Sequence, residues 1–391
     1  MDCTKAFDMC RFSTLFSRLL DKKLPAIVVR TLATVYEDQF AWVKWGSSKS
    51  DQFSMTTGTR QGSILSPILF LIYMDPLLQE LRALGIGCHV AGVYMGAVGF
   101  CDDLLLIAPT LDVMQKMLDT CECFALKNNL LFSTDPNPHK SKTKAIFMCG
   151  SNKKLSKPAP LYLYGKELPW VSSGTHLGNV LHESGSMEQD TRVKRATFIQ
   201  ESTEIRETFS FANPVEVLGA VKLYASSWYG SMLWDLRGDI VKQVFTTWNT
   251  CVKLAWHVPR QTHTYLVDHL LGCGITSVKT DILARYVGFV KSLQSSPCKE
   301  VRTLVNMMGR DIRSCTGSNL DFIKSETGLD PWYCSARQVK TALVDRPSVV
   351  PDQDSWRLPF LGKLLAKRGE HHYQCIDTTW LTEQIDTLCV N

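Results

Sequence analysis

Gly99-Phe100-Cys101-Asp102-Asp103-Leu104-Leu105-Leu106-Ile107-Ala108 places two adjacent carboxylates between two apolar runs, Val93 to Phe100 and Leu104 to Ala108. Neither run has helical spacing, and each has the length of a strand. The stretch predicts a β-hairpin carrying Asp102 and Asp103 at or near its turn. Carboxylates in so apolar a setting are costly to bury unless a positive charge meets them. A divalent cation meets that need, and so does a Lys or Arg partner. The stretch alone leaves both open.

Composition narrows the class of protein. A chain of 391 residues can bury a substantial core and form two or three domains. Hydrophobic content of 45% and charged content of 21% describe an ordinary globular protein and exclude disorder throughout. A formal charge of +5 permits a nucleic-acid partner without requiring one. The 14 cysteines are scattered without a CxxC pair, and Met1 to Lys5 lacks a secretory pattern. Reduced thiols in an intracellular protein are therefore expected, in either nucleus or cytoplasm. The longest apolar stretch, Ile64 to Met74, contains Ser66 and Pro67 and is too short to span a bilayer. A soluble protein with no membrane partner is expected.

Outward from the acidic pair, the spacing of Phe12, Leu15, Phe16 and Leu19 predicts a helix. Pro25 suits the first turn of a second helix, with Ile27, Val28, Leu32 and Val35 as its buried face. Phe40 to Trp45 reads as a strand. Gly58-Thr59-Arg60-Gln61-Gly62-Ser63-Ile64-Leu65-Ser66-Pro67 follows, with Ser66 as N-cap and Pro67 as first helical residue. That helix is expected to end or kink at Pro76. A glycine-flanked polar loop before a helix lets a ligand approach the backbone closely, and it is equally the form of a tight, well-capped turn.

Beyond the hairpin, Leu111 to Leu130 is expected to be helical. Pro136 to Lys166 carries seven lysines and no acidic residue. Lys140, Lys142 and Lys144 read as a phosphate-facing track or a solvated face, and Lys153, Lys154 and Lys157 as a solvated face. Ala145 to Met148 reads as a strand, and Leu161 to Val171 as a hairpin turning at Gly165-Lys166-Glu167. From about Glu183 helical stripes take over: Val217, Val221, Tyr224 and Trp228; Val241, Val244, Phe245, Trp248, Val252 and Ala255; Ile282, Tyr286, Val290 and Leu293. Residues 311–391 read as loop-rich with short helices.

An acidic motif at Asp2, a glycine-flanked loop and a paired-aspartate hairpin form the inventory of template-directed phosphoryl transfer. That chemistry needs two divalent cations about 3.5–4 Å apart, held by carboxylates from separate strands. Hard oxygen ligands suit Mg²⁺, with Mn²⁺ as the alternative.

These motifs, in this order, resemble the reverse transcriptases of non-LTR (LINE-type) retrotransposons. Asp2-Cys3-Thr4-Lys5-Ala6-Phe7-Asp8 is similar to the family's first palm motif, and Gly58 to Pro67 to its RQG…LSP signature. Phe100-Cys101-Asp102-Asp103 resembles its aromatic-Ala-Asp-Asp box, with Cys101 in place of alanine. Asn137 to Thr143 resembles its lysine-containing motif. Leu161 to Val171 with His176-Leu177-Gly178 resembles the primer-grip hairpin, and Tyr229-Gly230-Ser231, Leu233-Trp234 and Pro259-Arg260-Gln261-Thr262-His263 resemble the thumb and post-thumb region.

The resemblance implies an α+β, right-hand polymerase fold. A palm of antiparallel sheet and packed helices would occupy 1–182, a helical thumb 183–310 and an extension 311–391, with the fingers absent. It implies that Asp2 and Asp102 ligate two Mg²⁺ ions with Asp103 assisting, and that Phe7 gates the sugar. Arg60, Gln61 and Gly62 would line the nucleotide and template site, and Lys142 would face the triphosphate. RNA template, DNA primer and dNTPs are the implied partners. Asp2, one residue from the start of the sequence, is expected at a frayed end with little to fix its geometry. His371, His372 and Cys375 lack the ligand pairs of a zinc site. The competing readings are a catalytically inactive nucleic-acid-binding remnant and, more weakly, a metal-dependent nuclease.

Overall fold

A computed structural model describes residues 1–344 apart from 61, 136, 138, 149–157, 268–269 and 272–274. The chain divides into two compact units, residues 1–177 with 182–185 and residues 178–181 with 186 onward. Each unit has its own hydrophobic core.

In the first unit, α1 (Phe12–Asp21) and α2 (Ala26–Glu37) precede four short strands: β1 (Phe40–Ala41), β2 (Lys44–Trp45), β3 (Ser48–Lys49) and β4 (Phe53–Ser54). Then come α3 (Ser66–Ala83), β5 (His89–Val90), β6 (Val93–Tyr94), β7 (Ala97–Phe100), β8 (Asp103–Leu106) and α4 (Leu111–Lys127). β9 (Tyr162–Leu163), β10 (Lys166–Glu167) and the hairpin of β11 (Ser173–His176) and β12 (Asn179–His182) lead to the second unit. All named pairs are two-stranded, and the registered ladders β1–β4, β2–β3, β5–β6, β7–β8 and β9–β10 are antiparallel.

The core of this unit forms where apolar residues recur at helical spacing. Leu15 and Leu19 of α1, Phe70, Tyr73, Leu77 and Leu81 of α3, and Met117, Cys121 and Phe124 of α4 are all buried. α3 runs through Pro76 instead of stopping there, because the buried stripe continues through Leu77 and Leu81 on the far side. The buried face of α2 also differs from expectation. Val29 and Tyr36 are buried, while Ile27, Val28 and Val35 are exposed. Ser66 is not a side-chain cap; its hydroxyl donates back to the Arg60 carbonyl. Ala145 makes a single parallel bridge to Trp170 in place of a strand to Met148. The β9–β10 turn falls on Tyr164 and Gly165, both at positive φ.

Residues 1–4 are tied on both sides. Met1 and Leu104 exchange both backbone hydrogen bonds, at 2.7 and 2.9 Å. Ser133 N–H donates to Asp2 O at 2.9 Å, and Thr4 N–H to Leu131 O at 2.7 Å. Bridges Asp2↔Asp103 and Cys3↔Phe132 complete the pattern. The segment thus lies between β8 and residues 131–133, which corrects the expectation that Asp2 frays. One face of this layer carries Cys3, Leu104 and Phe132, all buried, and the other carries Asp2 and Asp103.

The second unit contains α5 (Glu188–Thr208), α6 (Pro214–Ala220), α7 (Asp239–Ala255), α8 (Val278–Gln294), α9 (Lys299–Arg310), α10 (Cys315–Thr327) and α11 (Ala336–Val344). A π-helical turn, Val221–Ala225, continues α6. Of the first predicted stripe, Val217, Val221 and Trp228 are buried while Tyr224 is 73% exposed. The second and third stripes hold on α7 and α8, with Trp248, Val252, Ile282, Tyr286 and Val290 buried. α10 and α11 add Leu320, Ile323 and Val339 to the same core. His371, His372 and Cys375 lie outside the described residues, as do Lys153, Lys154 and Lys157.

Candidate active site

The hairpin predicted from the acidic pair is β7–β8, with Phe100 paired to Asp103 and a two-residue loop of Cys101 and Asp102. Such tight loops need positive φ, and Cys101 supplies it at φ +53° without being glycine. Asp103 stands opposite Asp2 on the neighbouring segment. Like charges directly opposite one another across a ladder are destabilising.

Asp102 shares that stress. Burial raises its carboxyl above the ordinary 3.8, its own backbone N–H opposes this, and the charges of Asp2 and Asp103 raise it further. The compensating cation is Lys142, whose Nζ lies 3.1 Å from Asp2 Oδ2. Lys142 also draws the Asp102 carboxyl down. The ammonium is thus engaged with a carboxylate. His176, within electrostatic reach of Asp103, is held below the ordinary imidazole range by burial, with Asp103 pulling the other way.

The glycine loop reaches the acidic segment through its backbone. Phe7 lies in the 3₁₀ turn Ala6–Asp8, and its ring packs on Phe70 with centroids 5.0 Å apart. Thr59 N–H donates to Phe7 O at 2.6 Å, and Gly58 N–H to Cys10 O at 2.8 Å. A Cβ on Gly58 would lie 3.0 Å from Asp8 Cα and 3.2 Å from Phe7 O, at a φ of +97°. Only glycine fits this approach. Gly62, at φ +83° with open space around it, needs glycine for its conformation alone. The Arg60 carbonyl accepts from Ser63 N–H and Ser66 Oγ, and its residue is exposed. Gln61 lies outside the described residues.

The structure therefore brings Asp2, Asp102, Asp103 and Lys142 together, and it joins Phe7 to the loop holding Arg60 and Gly62. Three contributions were not read from the sequence: the Lys142–Asp2 ion pair, the support of Asp2 by Ser133, and His176 near Asp103. The alternation of Leu130 and Phe132, both buried, was the available signal for the second.

The donor set is chemically suited to a hard divalent cation: carboxylate oxygens, mutually repelling, one of them partly desolvated. Among the described residues, however, no three His, Cys, Asp or Glu side chains are disposed to hold one ion as they stand.

A fold of mixed helices and small antiparallel pairs, with acids on adjoining backbone, fits a palm-type polymerase domain. Residues 1–172 match the family model described as reverse transcriptase (RNA-dependent DNA polymerase). The chain is similar to the Retrovirus-related Pol polyprotein from type-1 retrotransposable element R2 of Nasonia vitripennis, 30% identical over 155 residues, which are 40% of this chain and 15% of that protein. It is similar to the corresponding polyprotein from type-2 element R2DM of Drosophila melanogaster, 34% identical over 119 residues, 30% of this chain and 11% of that protein. The type-1 R2 polyprotein of Popillia japonica is 25% identical over 194 residues, 47% of this chain and 30% of that protein. The non-LTR retrotransposon resemblance read from the motifs is borne out by these relatives. The matches span only a minor part of each relative's length.

Proposed function

We propose that this chain carries RNA-directed DNA polymerase chemistry: nucleotidyl transfer from dNTPs to the 3′-hydroxyl of a DNA primer on an RNA template. The supporting observation is the gathering of Asp2, Asp102 and Asp103 on adjoining backbone, with Asp102 destabilised as an anion. Asp2 and Asp102 would hold two Mg²⁺ ions and Asp103 would assist. Such ions, when bound, activate the primer hydroxyl and stabilise the charge of the leaving pyrophosphate. Lys142, released from Asp2, would turn to the triphosphate and donate a proton to the leaving oxygen. Phe7, braced on Phe70, would exclude a 2′-hydroxyl beneath the sugar. Arg60, Gln61 and Gly62 would line the nucleotide and template path. In this reading residues 1–182 are the palm, 183–310 the thumb and 311–391 an extension.

Primer extension with Mg²⁺ on an RNA template tests the proposal. Incorporation abolished by Asp102→Ala is the expected result, and incorporation indifferent to that change overturns it. A second reading, binding of nucleic acid without catalysis, is supported by the Lys142 ammonium on Asp2. It predicts salt-sensitive RNA binding with no incorporation.

A further inference from the structure

The strands ahead of the glycine loop present a surface that the proposed site does not use. β1 pairs with β4 and β2 with β3 as two separate short ladders, so that the hairpin over residues 40–54 is broken between them by a one-residue shift of register. Within β2, alternation puts Lys44 on one face and Trp45 on the other. Lys49 is paired directly with Lys44 and so joins the first face. Its Nζ stands 3.8 Å from the centroid of the Trp42 ring, which places that ring on the same face. Trp42 is 50% exposed.

This arrangement is unfavourable in isolation. Two lysines directly opposed across a two-stranded ladder repel, and a large aromatic ring is left in water. Among the described residues neither lysine meets a carboxylate. The hairpin's one acid, Asp51, is exposed and belongs to no such pair. A polyanion with flat apolar faces would relieve both costs at once. We propose that the Trp42–Lys44–Lys49 face binds single-stranded RNA, with a base stacked on Trp42 and a phosphate bridging Lys44 and Lys49. The choice of RNA rests on the polymerase reading, in which the template is the single-stranded polymer. Stacking on aromatic rings is tolerant of sequence, as a template path requires. A duplex hides its base faces and cannot use this surface in the same way.

The test is titration of the full chain with a fluorescent single-stranded RNA oligonucleotide, without primer, nucleotide or Mg²⁺. Trp42→Ala should weaken binding about tenfold, and Trp42→Phe should restore most of it. Lys44→Gln with Lys49→Gln should lower the slope of log affinity against log salt by about 0.7, for the one phosphate the two lysines share. Trp45→Ala, on the opposite face, should leave binding within about twofold, and all variants should unfold in a single cooperative transition as the parent does. Unchanged affinity in Trp42→Ala, an unchanged slope in the lysine pair, or equal losses on blunt duplex RNA each overturn the proposal. So does a dimer of the chain that Trp42→Ala dissociates, which would assign the face to a second copy. If primer extension fails while these binding effects appear, the polymerase reading falls and the surface stands. If extension works and the effects are missing, the reverse holds.

Discussion

Asp102 is where the chemistry of the site is most exposed to measurement. Its carboxyl is raised by burial and by Asp2 and Asp103, so the fold favours its protonated form. The stability this provides is fully present below the ordinary value of 3.8 and is lost as pH rises through the raised folded value. Asp102→Asn should therefore melt above the parent at pH 7, with the gap closing as pH falls below the ordinary carboxylate range. Thermal melts from pH 3 to 7 check this; a gap independent of pH would count against it. The acidic pair and its turn were legible in ten consecutive residues, because strand length and alternation are local. The Lys142 partner was not, because 140 residues separate it from Asp2 and no periodicity links them. Cys101 shows the same limit. Its positive φ, which costs a non-glycine residue roughly 1–2 kcal/mol, is set by the two-residue loop and not by the identity of the side chain.

At the scale of elements, α3 shows why a local rule failed. Proline in a helix interior removes a hydrogen bond and costs about 3 kcal/mol, so a stop at Pro76 was the reasonable expectation. Leu77 and Leu81 beyond it are fully buried, each worth about 1.5–3 kcal/mol, and together they outweigh that cost. Pro76→Ala should accordingly stabilise the protein by about 1–3 kcal/mol, read from the urea midpoint at constant slope. A lower midpoint would mean that the proline fits a bend the core requires. α2 failed differently. Its apolar residues cover more than one face, and the choice of Val29 and Tyr36 over Ile27, Val28 and Val35 belongs to the neighbours that pack there.

For the molecule as a whole, the two cores carry the stability. Trp248, 1% exposed, sits with Phe198 at 6.4 Å between ring centroids and with Lys222 over its ring. Trp248→Ala should cost about 3–5 kcal/mol, seen in urea denaturation, while the exposed Tyr333→Ala should change stability by less than about 0.5 kcal/mol. A Trp248→Ala loss below about 1 kcal/mol would show that the second core relaxes to fill the space. Among the described residues no helix is long and apolar enough to cross a membrane.

The amino-acid order by itself determined the existence and kind of the principal helices, the paired-aspartate hairpin, the glycine loop and the family that these motifs resemble. Each depends on spacing within a dozen residues, where side-chain period and backbone preference act directly. Only the tertiary structure decided that Asp2 is pinned between β8 and residues 131–133, that Lys142 neutralises it, and that Gly58 must be glycine because Phe7 and Asp8 press against it. Those facts arise from backbone hydrogen bonds, charge pairing and close packing between segments far apart in sequence. Such forces depend on distance in space, which residue order alone does not specify.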